Sequence, residues 1–150
     1  MKKVTSAVVI INRNGDILGC HGTGKPQGAG FDFPKGMVED GERCVEAALR
    51  ELREEAGYVL KETDLFDAGE YHHNKEKNIH IFLYRVYNDE EMPDISKLKC
   101  QSFFEFKGKQ YPEVDYFEII PKKDRSKFNK VLQDKFNIID HLNNTQDVQN

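Results

Sequence analysis

The stretch Gly36-Met37-Val38-Glu39-Asp40-Gly41-Glu42-Arg43-Cys44-Val45-Glu46-Ala47-Ala48-Leu49-Arg50-Glu51-Leu52-Arg53-Glu54-Glu55-Ala56-Gly57-Tyr58 decides how the rest of the chain is read. From Arg43 to Ala56, the residues Val45, Ala48, Leu49, Leu52 and Ala56 recur at spacings of three and four, which predicts a helix with one apolar stripe. Glu39-Asp40-Gly41-Glu42 is a turn whose negative side chains favour a helix start, and Gly57 is a suitable stop. Beside the stripe, Glu51, Glu54 and Glu55 stand at i, i+3 and i+4, so they share an arc of about 100°. Three carboxylates so placed repel one another, and two of them lie in the last turn, where the helix dipole is also negative. Arg50 and Arg53 relieve part of this, Arg50 standing four residues from both Glu46 and Glu54. Helix composition alone is satisfied by a solvated acidic face. The chemically sharper reading is a divalent-cation site, because oxygen-rich clusters suit Mg²⁺ or Mn²⁺.

Outward from this helix, the β-branched and apolar run Val4 to Ile11 predicts a buried strand. Asn14-Gly15 is a hairpin turn, and Ile17 to Cys20 is the return strand. His21 to Gly30 holds four of the eleven glycines and Pro26, and reads as a loop. Phe31-Asp32-Phe33-Pro34 is a short extended piece, since a residue before proline is pushed away from helix. Ile79 to Tyr87 reads as a strand with Ile81, Leu83 and Tyr87 on one face, and Asn88 to Pro93 as a polar turn. Phe103 to Phe106 and Tyr116 to Ile120 are two further strands. Phe128, Val131, Leu132, Phe136 and Ile139 mark a second amphipathic helix. The order of strands, helix, strands and helix predicts an α/β (α+β) fold, with a mixed sheet between helices on both faces: an α/β/α sandwich. Residues 1–142 read as one domain, and 143–150 as a polar, flexible tail.

Composition narrows the function classes. The 150 residues carry 22 Lys and Arg against 26 Asp and Glu, a formal net charge of −4, and 38% of them are apolar. Ten Phe and six Tyr supply core bulk, so a single core is expected rather than disorder. No apolar run approaches the roughly 18–20 residues of a membrane-spanning helix, and no signal-peptide pattern follows Val4 to Ile11. Three cysteines without paired spacing point to free thiols in a reducing compartment, hence the cytoplasm. An acidic chain with no basic block is a poor passive binder of nucleic acid.

Gly36, then Glu42 six positions on, then Arg50-Glu51-Leu52-x-Glu54-Glu55-x-Gly57 resembles the Nudix box. All seven of its fixed positions match, and only Tyr58 departs, aromatic where an aliphatic residue is usual. At a background of about 5–7% per position, seven matches by chance have a probability on the order of 10⁻⁹ per window. The lead-in Phe31-Asp32-Phe33-Pro34-Lys35-Gly36 also follows the family's pattern. The resemblance implies a hydrolase that cleaves the pyrophosphate linkage of a nucleoside diphosphate joined to another group, with Mg²⁺ or Mn²⁺. It implies Glu54 and Glu55 as metal ligands, with Glu54 also counted in the catalytic set, and Glu51 as ligand or water-activating group. The backbone carbonyl of Lys35 is a further ligand, Arg50 orients Glu51, and Glu42 joins the same network. In some members the general base is instead an acid from a later loop, for which Glu113 and Asp115 are the candidates here.

The remaining candidates are weaker. The loop Gly22 to Gly30 matches no phosphate-binding fingerprint, and is a connector that places His21 or Lys25 at a substrate entrance in its functional reading. His72-His73, Lys75 and Lys77 read as surface groups, with Tyr71 beside them as a substrate-binding candidate. Markers that the resemblance associates with ADP-ribose hydrolases, a proline some 15 residues past the box, are absent between Tyr58 and Pro93. The lead-in Pro34-Lys35-Gly36 leans towards dinucleoside polyphosphates. ADP-ribose-like compounds and RNA 5′ ends follow as substrates, and a non-catalytic nucleotide-binding regulator is the alternative of a different class.

Overall fold

In chain order the strands are β1 (Lys3–Asn12), β2 (Ile17–Gly22), β3 (Phe31–Asp32), β4 (Lys35–Met37), β5 (Phe66–His72), β6 (Lys77–Val86), β7 (Phe103–Phe106), β8 (Lys109–Pro112) and β9 (Val114–Ile120). The two α-helices are α1 (Cys44–Ala56) and α2 (Phe136–Asn143). The structure, a computed structural model, describes residues 2–145. Strand β1 organises the sheet: it runs parallel to β6 from Lys3↔Lys77 to Asn12↔Val86. Antiparallel to it, β4 pairs alongside Thr5 to Ala7 and β2 at Ile11. The sheet continues through β2 to β3 and β9, and through β6 to β5, giving seven strands of mixed direction. β7 and β8 form a separate hairpin.

Alternation along β1 builds two cores. Ala7, Val9 and Ile11 point to one face with Ile79, Ile81 and Leu83, under Leu132, Phe136 and Ile139. Val8 and Ile10 point to the other with Phe82 and Val86, against Ala48, Leu52 and Ala56 of α1. The chain is therefore the expected mixed sheet between helical layers. Each fully buried Leu or Ile contributes roughly 1.5–3 kcal/mol of transfer free energy, which makes these two layers the main source of stability. The start of α1 is set by Arg43, whose N–H donates to the Glu46 carboxylate at 2.8 Å. Its end is set by Gly57, with φ 66°, whose N–H donates to Arg53 O at 2.8 Å. A Cβ there would also lie 2.9 Å from the Lys99 carbonyl oxygen.

Several expectations need correction. β4, β5 and β8 are strands where none was expected, and β6 starts at Lys77 and stops at Val86. Tyr87 lies beyond it and is 56% exposed, so it is not on the strand's inner face. The second helix is α only from Phe136. Lys122–Lys127 and Lys130–Lys135 are 3₁₀ turns, Val131 is exposed, and Phe128 bridges Phe31. The cause is local competition for backbone groups. Gln133 Nε2 donates to Arg125 O and Phe128 O at 2.8 and 3.0 Å, and the Asn129 N–H, which an α-turn would send to Arg125 O, goes to Phe31 O at 2.8 Å. α2 runs through Asn143, whose amide donates to Asn12 O at 2.9 Å. Residues 146–150 of the expected tail lie outside the described residues. Among the described residues, no helix is long and apolar enough to cross a membrane.

Arg125 ties the C-terminal segment to the first hairpin. Its guanidinium donates to both Asp140 oxygens at 2.6 Å and to Gly15 O at 3.0 Å, and lies 4.8 Å from the centre of the Phe136 ring. Arg125→Ala leaves a part-buried Asp140 without its partner and should cost roughly 3 kcal/mol. A urea midpoint unchanged from wild type would refute that.

Candidate active site

The site forms where β4 meets α1. Gly36 is the contact: a Cβ there would stand 2.1 Å from the Glu51 carboxyl carbon, so only glycine lets this carboxylate lie against the strand. One turn on, Glu55 is buried and accepts the Lys35 N–H at 3.2 Å. Burial, and then the neighbouring Glu51 charge, push the Glu55 carboxyl up to about 9, against the opposing pull of Lys35. Burial likewise raises Glu51, although Arg50 pulls it down. Glu54 is the most open of the three.

Arg50 gathers the surrounding acids. Its Nε donates to Glu42 at 2.7 Å, its Nη1 to Glu51 at 2.6 Å and Glu54 at 3.0 Å, and its Nη2 to Met37 O at 2.9 Å and Glu42 at 3.0 Å. The Glu42 hydrogen bonds lead in holding the guanidinium well above its usual range, and Arg50 in turn holds Glu42 below the usual carboxylate range. Next to this network is an open cleft of about 420 Å³ whose lining includes Lys35, Arg50, Glu51, Glu54, Glu55, Ser102 and Glu113. Among the described residues, no three acidic, imidazole or thiol groups are already converged as a closed metal cage; Glu51 and Glu54 instead turn oxygens to Arg50.

The structure thus brings together Lys35, Arg50, Glu51, Glu54, Glu55 and Glu113. It separates the others from this cleft. His21 is buried, with Nδ1 at 2.6 Å from Asp115 and Nε2 at 2.8 Å from Pro26 O, and its ring stacks on Tyr116. Both ring nitrogens are thereby engaged in holding the glycine-rich loop to β9. Burial lowers the His21 pKa, but the Pro26 carbonyl and Asp115 outweigh it and the net shift is upward. Lys25 is exposed on that loop, with its stem beside Gly30. Tyr71 packs against the core on the α2 side and donates to Ala68 O. Of the two later acids, Glu113 faces the cleft and Asp115 pairs with His21. Sequence reasoning missed Ser102 and the Met37 carbonyl. The first is an ordinary residue just before β7, whose carbonyl accepts the Glu113 N–H at 3.0 Å, and the second is a backbone group with no side-chain signature.

Comparison with known proteins agrees with this geometry. The family model for the NUDIX domain matches residues 1–123. The chain belongs to that family, and as an enzyme it is a Nudix pyrophosphohydrolase. A search of the curated proteins finds no match. Among solved structures it is similar to an Ap4A hydrolase binary complex from C. elegans: 18% identity, TM-score 0.64, covering 92% of this chain and 96% of that one. It is also similar to an ADP-ribose pyrophosphatase from Streptococcus suis: 12% identity, TM-score 0.67, covering 99% and 97%. A MutT/nudix family protein from Enterococcus faecalis matches at 16% identity and TM-score 0.57 over 79% of this chain, which spans 43% of that longer protein. At these identities the structural likenesses show the fold.

The raised Glu55 pKa has a stability consequence. With its folded value near 9 and its unfolded value near the usual 4.5, the unfolded chain releases this proton first. The contribution of protonated Glu55 is therefore fully present below about pH 4.5 and lost as pH rises towards 9. In EDTA, Glu55→Gln should be more stable than wild type by a margin that grows between pH 5 and pH 8. A margin independent of pH, read from urea midpoints, would contradict the assignment.

Proposed function

We propose that the chain hydrolyses the pyrophosphate linkage of a nucleoside diphosphate joined to a second moiety, with dinucleoside polyphosphates as the leading substrate class, and that Mg²⁺ or Mn²⁺ assists. The observation that carries this is the crowding of Glu51, Glu54 and Glu55 beside Gly36: two of these carboxylates have raised pKa values, and all three face one open cleft. Such a set is costly until a cation neutralises it. Its all-oxygen chemistry suits a hard divalent ion, so the residues fit the metal that the family uses.

In this reading Glu51, Glu54 and Glu55 hold the metal, with the Lys35 carbonyl as a further ligand. When bound, the ion neutralises phosphate charge and lowers the pKa of water. The chain's own residues do the rest. Arg50 fixes Glu51 and Glu54 with charge-assisted hydrogen bonds, so that neither carboxylate has to be ordered at the moment of reaction. Glu51, or Glu113 in the same cleft lining, accepts the proton of the attacking water. The rigid face of α1 sets the spacing better than a loop would. Pro34-Lys35-Gly36 favours dinucleoside polyphosphates over ADP-ribose-like compounds and RNA 5′ ends. His21, Lys25 and Tyr71, which lie outside the cleft, have a weaker claim as substrate contacts. Residues 1–142 act as one domain, and the free Cys20, Cys44 and Cys100 agree with a cytoplasmic setting.

A substrate panel with Mg²⁺ or Mn²⁺, with products identified after reaction in ¹⁸O-water, tests the reading. One dinucleoside polyphosphate should be cleaved at an inner phosphorus. Glu55→Gln should lower kcat by at least about 10³-fold with the fold intact. Full turnover in a folded Glu55→Gln protein would sink the metal assignment, and tight nucleotide binding without hydrolysis by the wild type would favour a regulator.

Gly36→Ala supplies a second test. The new methyl group must displace the Glu51 side chain, which is flexible, so stability should change by less than about 1 kcal/mol while kcat falls roughly 10²-fold. Equal losses of stability and activity would mean that the glycine serves folding only.

A further inference from the structure

Residues 103–110, which are β7, its turn and the start of β8, are exposed without exception. The hairpin pairs with no third strand. Its rings stand in water: Phe103 is 55% exposed, Phe104 37% and Phe106 56%. A single exposed ring needs no explanation, but three on one short hairpin form a patch, and such patches mark interaction surfaces. A two-stranded hairpin also gains little stability by itself, so the rings are not spent on holding it together.

The register sorts the side chains into two faces. Phe104 pairs with Tyr111 and Phe106 with Lys109, so these four share one face, and no carboxylate stands among them. Phe103, Glu105, Gln110 and Pro112 share the other. The turn Lys107-Gly108 has φ of 51° and 78°, the positive values of a type I′ turn, where Asn or Gly is usual in the first place. Among the described residues, Lys107 is the one non-glycine residue with positive φ. The chain thus keeps an ammonium at the tip of the hairpin against a local backbone cost. Its Nζ lies 5.3 Å from the centre of the Phe106 ring.

We propose that this face docks on the surface of an anionic lipid bilayer. The rings of Phe104, Phe106 and Tyr111 enter the boundary between headgroups and acyl chains, and Lys107 and Lys109 meet lipid phosphates. The net charge of −4 does not oppose this, because at physiological salt a charge is felt over only about 8 Å. Ring geometry separates a bilayer from a nucleic acid. Phe104 and Tyr111 stack on each other with centroids 5.8 Å apart at 30°, and Lys107 covers the face of Phe106. A base needs an open ring face to stack on, whereas hydrocarbon accepts ring edges. A second copy of this chain is disfavoured by charge, since two such faces would set Lys107 and Lys109 of both copies together. Lysines also guard a free strand edge against pairing, but that duty has no use for the rings. The proposal holds whatever nucleotide the enzyme cleaves.

The test is co-sedimentation with vesicles of phosphatidylcholine alone and of phosphatidylcholine mixed in equal parts with phosphatidylserine. The protein should pellet with the mixed vesicles and not with phosphatidylcholine alone, and added NaCl should release it. Lys109→Ala should weaken binding roughly fivefold and Phe106→Ser roughly tenfold. Val131→Ser, which removes an exposed apolar group outside the hairpin, should leave binding unchanged. Phe106→Trp gives the chain its sole tryptophan, whose emission should move to the blue with mixed vesicles and be quenched by lipids brominated in the acyl chain. Circular dichroism verifies that each variant is folded. Absence of pelleting with mixed vesicles overturns the proposal. Pelleting that Phe106→Ser leaves unchanged does so too, because charge attraction alone would then explain it. A blue shift that grows with protein concentration without lipid would assign the face to a second copy, and one produced by a single-stranded oligonucleotide but not by vesicles would assign it to nucleic acid; either result overturns the proposal.

Discussion

The site depends on one guanidinium. Arg50 has five N–H donors and the structure uses all of them, on Glu42, Glu51, Glu54 and the Met37 carbonyl. These partners come from three segments: the turn before α1, the face of α1, and strand β4. The side chain is 20% exposed, so its contacts are only partly screened. A lysine there would offer a point charge with three donors for four partner groups and would leave at least one of them unheld. The order of the acidic face is thus a property of the network, and the helix alone would spread its carboxylates.

The same packing that stabilises the sheet also tunes the chemistry. Leu52 and Ala56 bury the inner stripe of α1 against Val8 and Ile10, and this brings Glu55, between them in sequence, down to the strand. Its pKa shift is a consequence of docking the helix and needs no separate device. The cost of burying that carboxylate is set against the apolar area buried beside it, which is why a charged group survives at the edge of a core. Gly36 completes the arrangement by removing the one atom that would keep Glu51 away.

Much of this was legible in the sequence for identifiable reasons. The α1 stripe, the β1 run and the glycine stop are strong periodic or conformational signals, and the box spacing named the acids that now line one cleft. What failed to show depends on contacts distant in sequence. β4 is three residues of Lys, Gly and Met with no strand pattern, and it becomes a strand only because β1 offers it an edge. β5 carries Asp67, Gly69 and Glu70 and a register irregularity, so its alternation is broken. Of the helical spacing from Phe128 to Leu132, Phe128 and Leu132 are buried but Val131 is exposed, because Gln133 and Phe31 redirect the backbone. The choice between Glu113 and Asp115 could not be read from two acids two residues apart. The partner that claims Asp115, His21, lies 94 positions away.

The net charge of −4 takes on a local meaning. Glu39, Glu51, Glu54, Glu55 and Glu113 border the cleft, and Arg50 and Lys35 are the cations among its lining residues. An acidic cleft repels a pyrophosphate, so the proposed activity requires the field to be reversed before substrate arrives. A divalent ion seated on the α1 carboxylates does this where it is needed, and the rest of the surface can stay acidic. The raised pKa values of Glu51 and Glu55 belong to the same argument. Glu55, pushed up to about 9, holds a proton at neutral pH where a cation would otherwise bind, so in the proposed reading metal binding and proton release are coupled at this face.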